Sequence, residues 1–142
     1  MANGRLPVVL EMTLPVGAAP PLHLHGHYDD SSYLLAGQLL VQTGDEIEYA
    51  GPGHWMSVPR GVPHGFRVVG DQPARILVVN DAESFLELIV DVGEPTDELR
   101  LPVPSPGPGD ADLKRILADH DTTVLGPSMT ERFAQAFLAT PR

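Results

Sequence analysis

Three histidines at alternating positions, His23, His25 and His27, are followed closely by Asp29 and Asp30 in residues 22–30, Leu-His-Leu-His-Gly-His-Tyr-Asp-Asp. In an extended segment the side-chain period of two sends all three imidazoles to one face, with Cβ atoms about 7 Å apart along the strand. Two such neighbours can close on one metal ion.

A further ligand has to arrive from elsewhere in the chain. Residues 53–64, Gly-His-Trp-Met-Ser-Val-Pro-Arg-Gly-Val-Pro-His, supply it. A short strand leads into the turn around Pro59 and Gly61, and His64 opens the next strand. The hairpin carries its imidazole back toward the first cluster.

Together the two segments resemble the paired motifs of the cupin superfamily. The first reads Gly17, five residues, His23-x-His25, four residues, Asp30, six residues, Gly37; the second reads Gly53, five residues, Pro59-x-Gly61, two residues, His64. The resemblance implies an all-β fold, a double-stranded β-helix or jelly-roll barrel. It also implies a metal held by two His and a Glu from the first motif and one His from the second. Two positions depart from the pattern: Asp30 stands where the family has Glu, one methylene shorter, and Val68 stands where Asn often closes the second motif. Downstream, Val58-Pro59-Arg60-Gly61-Val62-Pro63-His64, the run from Pro73 to Val79, the Phe85 and Glu87 segment and Leu125-Gly126-Pro127 resemble the small quercetinase-like cupins.

His27 and Asp30 compete for the fourth place at the metal. The family pattern favours Asp30, whose short side chain must still reach a ligand distance of about 2.0–2.2 Å. His27 lies on the correct face if the strand stays regular, and a bulge after His25 reverses the choice. The predicted metal set is therefore His23, His25, His27 and His64, with Asp30 beside it as the proton-transferring residue.

The fourth ligand bears on the reaction. A carboxylate beside three imidazoles is similar to the quercetinase-like dioxygenases, in which a redox-active metal binds substrate and O₂. Four neutral imidazoles leave the full dipositive charge on the metal, a Lewis acid able to polarise a carbonyl and stabilise an adjacent enolate. Zn²⁺ suits that role because it has no redox chemistry and takes imidazole readily; Fe²⁺, Ni²⁺, Cu²⁺ and Mn²⁺ take imidazole too. Enolate stabilisation without oxidation resembles the single-domain cupin cyclases of bacterial aromatic polyketide antibiotic biosynthesis. That resemblance implies a poly-β-ketone whose keto groups meet the metal, whose activated carbons attack other carbonyls in aldol fashion, and whose rings aromatise by loss of water. The first reading is a zinc-dependent polyketide cyclase. A quercetinase-like dioxygenase is the alternative, and a non-catalytic small-molecule-binding cupin the second; they predict oxygen uptake and no turnover, respectively.

Such a reaction needs a wall that folds the chain and holds reacting atoms about 3–3.5 Å apart. Alternation aims Ser32 and Leu34 along the face of Asp30, and places Met56, Val58, Phe66 and Val68 with His64. Ordinary barrel core explains the same residues. Asp30 is the first candidate for proton transfer, a carboxylate beside a dication in an apolar pocket; Tyr28 could donate to a carbonyl, whereas Tyr33 faces the other way. His54, in a turn, and His120, in the tail, read as solvated or structural.

The elements that must position these groups are short. Fifteen prolines and fourteen glycines in 142 residues punctuate apolar runs every eight to twelve residues over most of the chain, the pattern of an antiparallel barrel. Predicted strands, about ten, include residues 5–14, the histidine strand delivered by the loop of Pro15, Gly17, Pro20 and Pro21, and residues 31–36, 38–43, 46–50, 55–58, 64–69, 74–80 and 85–92. The domain reading is a barrel over residues 1–93, a Pro-rich linker over 94–109 and a short helical tail over 110–142 that packs on the barrel or on a partner. In that tail Asp110 is placed to cap one helix, and Ser128 with Glu131 to form a capping box for another.

Composition excludes several classes. Nineteen acidic residues against nine basic give a formal net charge of −10, which argues against nucleic acid or an anionic membrane as partner. No cysteine is present, so disulfides and thiolate metal sites are excluded. No run approaches the ~20 apolar residues of a membrane span, and no charged start precedes an apolar stretch, which predicts a cytoplasmic protein. A homodimer is expected from the superfamily and the two tail helices.

Overall fold

The computed structural model describes residues 7–81, 83–101 and 110–141. Eight strands follow in the predicted order: β1 (Val8–Leu14), β2 (Pro21–His25), β3 (Asp30–Ala36), β4 (Gln38–Thr43), β5 (Glu46–Ala50), β6 (Trp55–Val58), β7 (His64–Val69) and β8 (Ala74–Asn80). Then come α1 (Glu83–Val92), α2 (Asp110–Asp119), β9 (Thr122–Ser128) and α3 (Glu131–Ala139). Two antiparallel sheets, β1-β8-β3-β6 and β5-β4-β7-β2-β9, face each other as a jelly-roll barrel.

Alternation along the strands makes that sandwich. In β8, Ala74, Ile76 and Val78 are buried while Arg75 is exposed, so one face enters the core and the other meets solvent. Leu34, Leu39, Val41, Met56, Val68, Ile76 and Val78 form the shared core of the two sheets. β4 is buried on both faces, because Leu39 and Val41 point inward while Leu40 packs outward with Val69 against Ala134 of α3. At the bend between β3 and β4, Gly37 adopts φ +83° and a Cβ there would fall 2.6 Å from the Cα of Ala74. Only glycine permits that approach.

Several expectations need correction. Residues 85–92, read as a last strand, form α1. Phe85, Leu88, Ile89 and Val92 recur at helical spacing, Phe85 and Leu88 are buried, and the Gly93 amide donates to the Ile89 carbonyl at 3.0 Å to end the helix. The tail is not purely helical, since β9 inserts between α2 and α3 and pairs with β2 from Pro21↔Ser128 to His25↔Thr122. Nine strands are thus present among the described residues.

The second tail helix is capped by Thr130, whose Oγ1 accepts from the Phe133 amide at 3.2 Å; Ser128 ends β9 instead. Ala134 and Phe137 of α3 pack with Leu40 and Val69 of the barrel. Residues 102–109 of the expected linker, residues 5 and 6 of the expected first strand, and the side chain proposed to cap α2 lie outside the described residues.

Candidate metal centre

Pairing between β2 and β7 places His23 directly opposite His64. His25, two residues on, shares the His23 face, and the Gly61 amide donates to the His25 carbonyl at 2.8 Å, tying the β6–β7 turn to the end of β2. Gly61 takes φ +77° in that turn, a conformation natural to glycine. His23, His25 and His64 each bring a ring nitrogen within 4.8 Å of the other two, so the group could hold a metal ion.

Asp30 comes from β3 in the facing sheet. Its Oδ2 lies 3.5 Å from Nε2 of His64 and 3.8 Å from Nε2 of His25. The cluster therefore draws three imidazoles from one sheet and a carboxylate from the other.

The outer ring nitrogens are held. His23 Nδ1–H donates to the Pro21 carbonyl at 2.7 Å and His64 Nδ1–H to the Val62 carbonyl at 2.9 Å. Carbonyls only accept, so both rings present an unprotonated Nε2 when neutral. His25 Nδ1 lies 3.0 Å from Thr122 Oγ1 and 2.9 Å from the Tyr28 hydroxyl. Burial lowers the pKa of His25 to about 4 despite the opposing pull of Asp30, and burial with the neighbouring His64 lowers that of His23. Neutral imidazoles at pH 7 are the ligand form.

His64 Nε2 and Asp30 Oδ1 are buried and have no hydrogen-bond partner among the described residues. An acceptor lone pair and a carboxylate oxygen left this way, beside two more inward imidazole nitrogens, fit a divalent cation of the imidazole- and oxygen-binding kind.

His27 does not join them. β2 ends at His25, the Gly26 amide donates to the Asp121 carbonyl at 3.2 Å, and His27 turns outward, 76% exposed, with Nδ1 2.8 Å from Asp121 Oδ2. The regular strand that would have kept it on the metal face stops two residues short. Asp29 is also outside the cluster. Its exposed carboxylate accepts from the Arg60 amide and guanidinium, and those contacts hold it below its usual range. His54 sits half-exposed 3.7 Å from Glu48, and His120 donates to Asp91 of α1 at 2.7 Å.

A cavity of about 530 Å³ opens from the cluster into the barrel. Ser32, Met56, Val58 and Phe66 line it as anticipated, whereas Leu34 and Val68 are fully buried core. Tyr28, stacked on His25 behind the cavity, is not among the lining residues, and Tyr33 faces outward. Sequence reasoning missed the roof, where Phe85, Leu88 and Ile89 of α1 meet Leu113 and Leu117 of α2. It also missed Thr122. The helical spacing of the roof residues was a usable signal; nothing in the sequence marks Thr122.

Residues 10–80 match the family model for the cupin domain, and the chain belongs to the cupin family. No curated protein matches it. Among solved structures, TT1209 from Thermus thermophilus is 32% identical, with 56% of this chain and 75% of that one covered and a TM-score of 0.51. The polyketide cyclase RemF from Streptomyces resistomycificus is 31% identical over 57% of this chain, with a TM-score of 0.50; this chain spans 58% of its length. A predicted oxalate decarboxylase from Thermotoga maritima, 22% identical with a TM-score of 0.50, shares the fold. Among the described residues, no helix is long and apolar enough to cross a membrane.

Proposed function

We propose that this cupin is a metal-dependent aromatic polyketide cyclase whose metal, Zn²⁺, is held by His23, His25 and His64, with Asp30 beside it. The observation that carries the reading is a three-imidazole cluster at the end of a cavity whose remaining wall is almost wholly apolar. Likeness to a solved polyketide cyclase supports it. A bound divalent zinc would supply Lewis acidity to the keto oxygens of a poly-β-ketone.

The chain's own residues do the rest. The Asp30 carboxylate accepts a proton from the methylene between two keto groups and gives it to the alkoxide formed when that carbon attacks a second carbonyl; it then takes the carbon's remaining hydrogen as a proton and passes it to the departing hydroxyl as water is lost. Met56, Val58 and Phe66 from the barrel, with Phe85 and Leu88 from α1, bend the substrate and exclude water from the reacting carbons. Ser32, on the Asp30 face of β3, gives a neutral hydroxyl to orient a carbonyl.

The test is anaerobic turnover. Purified protein loaded with zinc is expected to convert a poly-β-ketone into a cyclised aromatic product without oxygen, and Asp30→Asn to slow this by roughly 10²–10⁴-fold.

A second reading, a quercetinase-like dioxygenase, is favoured by one observation. The carboxylate of Asp30, not the imidazole of His27, stands next to the three histidines. Oxygen consumption with a flavonol, in protein carrying iron, nickel, copper or manganese, would decide for it.

A further inference from the structure

The third imidazole differs from the other two in what holds its outer nitrogen. His23 and His64 give Nδ1–H to backbone carbonyls, whereas His25 Nδ1 faces two hydroxyls, and a hydroxyl can donate or accept. Thr122 Oγ1–H is directed at the His120 carbonyl at 3.4 Å, which leaves an oxygen lone pair for the ring. Thr122 is 2% exposed and His25 4%, so both partners of this contact are buried.

Building on the metal-centre reading above, we propose that Thr122 is the positioning residue that holds His25 as its Nδ1–H tautomer, presenting Nε2 to the metal site. The hydrogen-bond chain from His25 through Thr122 then ends on a carbonyl, as the other two do directly. Thr122 lies 97 residues beyond His25, on β9, outside residues 10–80 that match the cupin domain. The edge strand in the tail is thereby a working part of the centre.

Tyr28 supplies the competing arrangement. Its phenol is 1% exposed. The Tyr28 oxygen lies 2.9 Å from His25 Nδ1, so its O–H competes with Thr122 for the same ring nitrogen. With the threonine hydroxyl removed, the Tyr28 O–H is left with His25 Nδ1 as its acceptor. The ring proton then moves from Nδ1 to Nε2 and covers the lone pair a metal would need.

Thr122→Val removes the hydroxyl and keeps the shape, and Thr122→Ser keeps the hydroxyl. Nitrogen-15 NMR of the His25 ring in metal-free protein reads the tautomer, and competition with a chromophoric chelator reads zinc affinity. Wild type and Thr122→Ser are expected to show the Nδ1–H form. Thr122→Val is expected to show Nε2–H and to bind zinc roughly 10–100-fold more weakly. Retention of the Nδ1–H form in Thr122→Val overturns the proposal.

Tyr28→Phe is the second variant, useful if Thr122→Val fails to fold. It removes the competing donor and is expected to leave the tautomer unchanged; a change to Nε2–H would assign control to Tyr28 and overturn the role of Thr122. Failure of the metal reading is separate, since a wild type that binds no zinc would refute that reading while the metal-free tautomer still decides for or against Thr122.

Discussion

Asp30 Oδ2 lies 3.5 Å from His64 Nε2, between strands of opposite sheets, yet among the described residues neither that nitrogen nor Asp30 Oδ1 has a hydrogen-bond partner. Burying an unpartnered polar atom costs about 1–3 kcal/mol. His25 Nε2 lies 3.8 Å from Asp30 Oδ2, and the fold satisfies the outer nitrogen of every imidazole in the cluster, so the group could hold a cation.

The two claimants for the fourth position should separate cleanly. His27→Ala removes an exposed polar contact with Asp121, worth about 0–1 kcal/mol, and is expected to keep metal and activity. Asp30→Ala removes the buried carboxylate and is expected to weaken metal binding and stop turnover. Equilibrium dialysis with zinc checks both. Metal loss in His27→Ala with retention in Asp30→Ala would restore the four-histidine set.

Acid should weaken the metal-free fold within a defined window. Burial depresses the pKa of His25 from 6.5 to about 4, so above pH 6.5 the folded and unfolded states are both neutral at this group. As pH falls through that window, the unfolded chain takes up a proton that the folded state refuses, and stability declines. His23 shifts the same way. Urea titrations of the metal-free protein between pH 4.5 and 7.5 should show a midpoint that is flat near pH 7 and drops toward pH 4.5. A His25→Phe variant should flatten part of that slope; an unchanged slope would mean that other groups set it.

The roof should govern product more than metal. Leu88 is 7% exposed and lines the cavity from α1, so Leu88→Ala enlarges the chamber without touching a ligand. Destabilisation of about 2–5 kcal/mol is expected from such a truncation. Zinc content should stay at the wild-type level while the distribution of cyclised products broadens. Chromatography of the products beside metal analysis checks this, and an unchanged product pattern would remove α1 from substrate folding.

Much of the fold was legible because Gly and Pro turns separate runs with period two, and β1 through β8 appear where those runs fall. α1 was misread because Phe85, Leu86, Leu88, Ile89 and Val90 are as apolar as a buried strand; only their spacing and Gly93 favour a helix. β9 was missed because Gly126 and Pro127 look like punctuation, and an edge strand tolerates both.

Within the site, His23, His25 and His64 were readable from spacing because one register pair brings them together. His27 was not, since its direction depends on Asp121, whose carbonyl and carboxylate take the Gly26 amide and the His27 ring. Local pattern carries no information about that contact. Thr122 was hidden for the same reason.

The measurement that bears most directly on the centre is metal content by inductively coupled plasma mass spectrometry, on wild type and His64→Ala purified identically. The predicted result is close to one zinc per wild-type chain. His64→Ala should hold little, because losing a ligand should cost more than the roughly 10–100-fold of an outer hydrogen-bonding partner. Wild-type protein free of metal, or a His64→Ala variant equally loaded, would contradict the account.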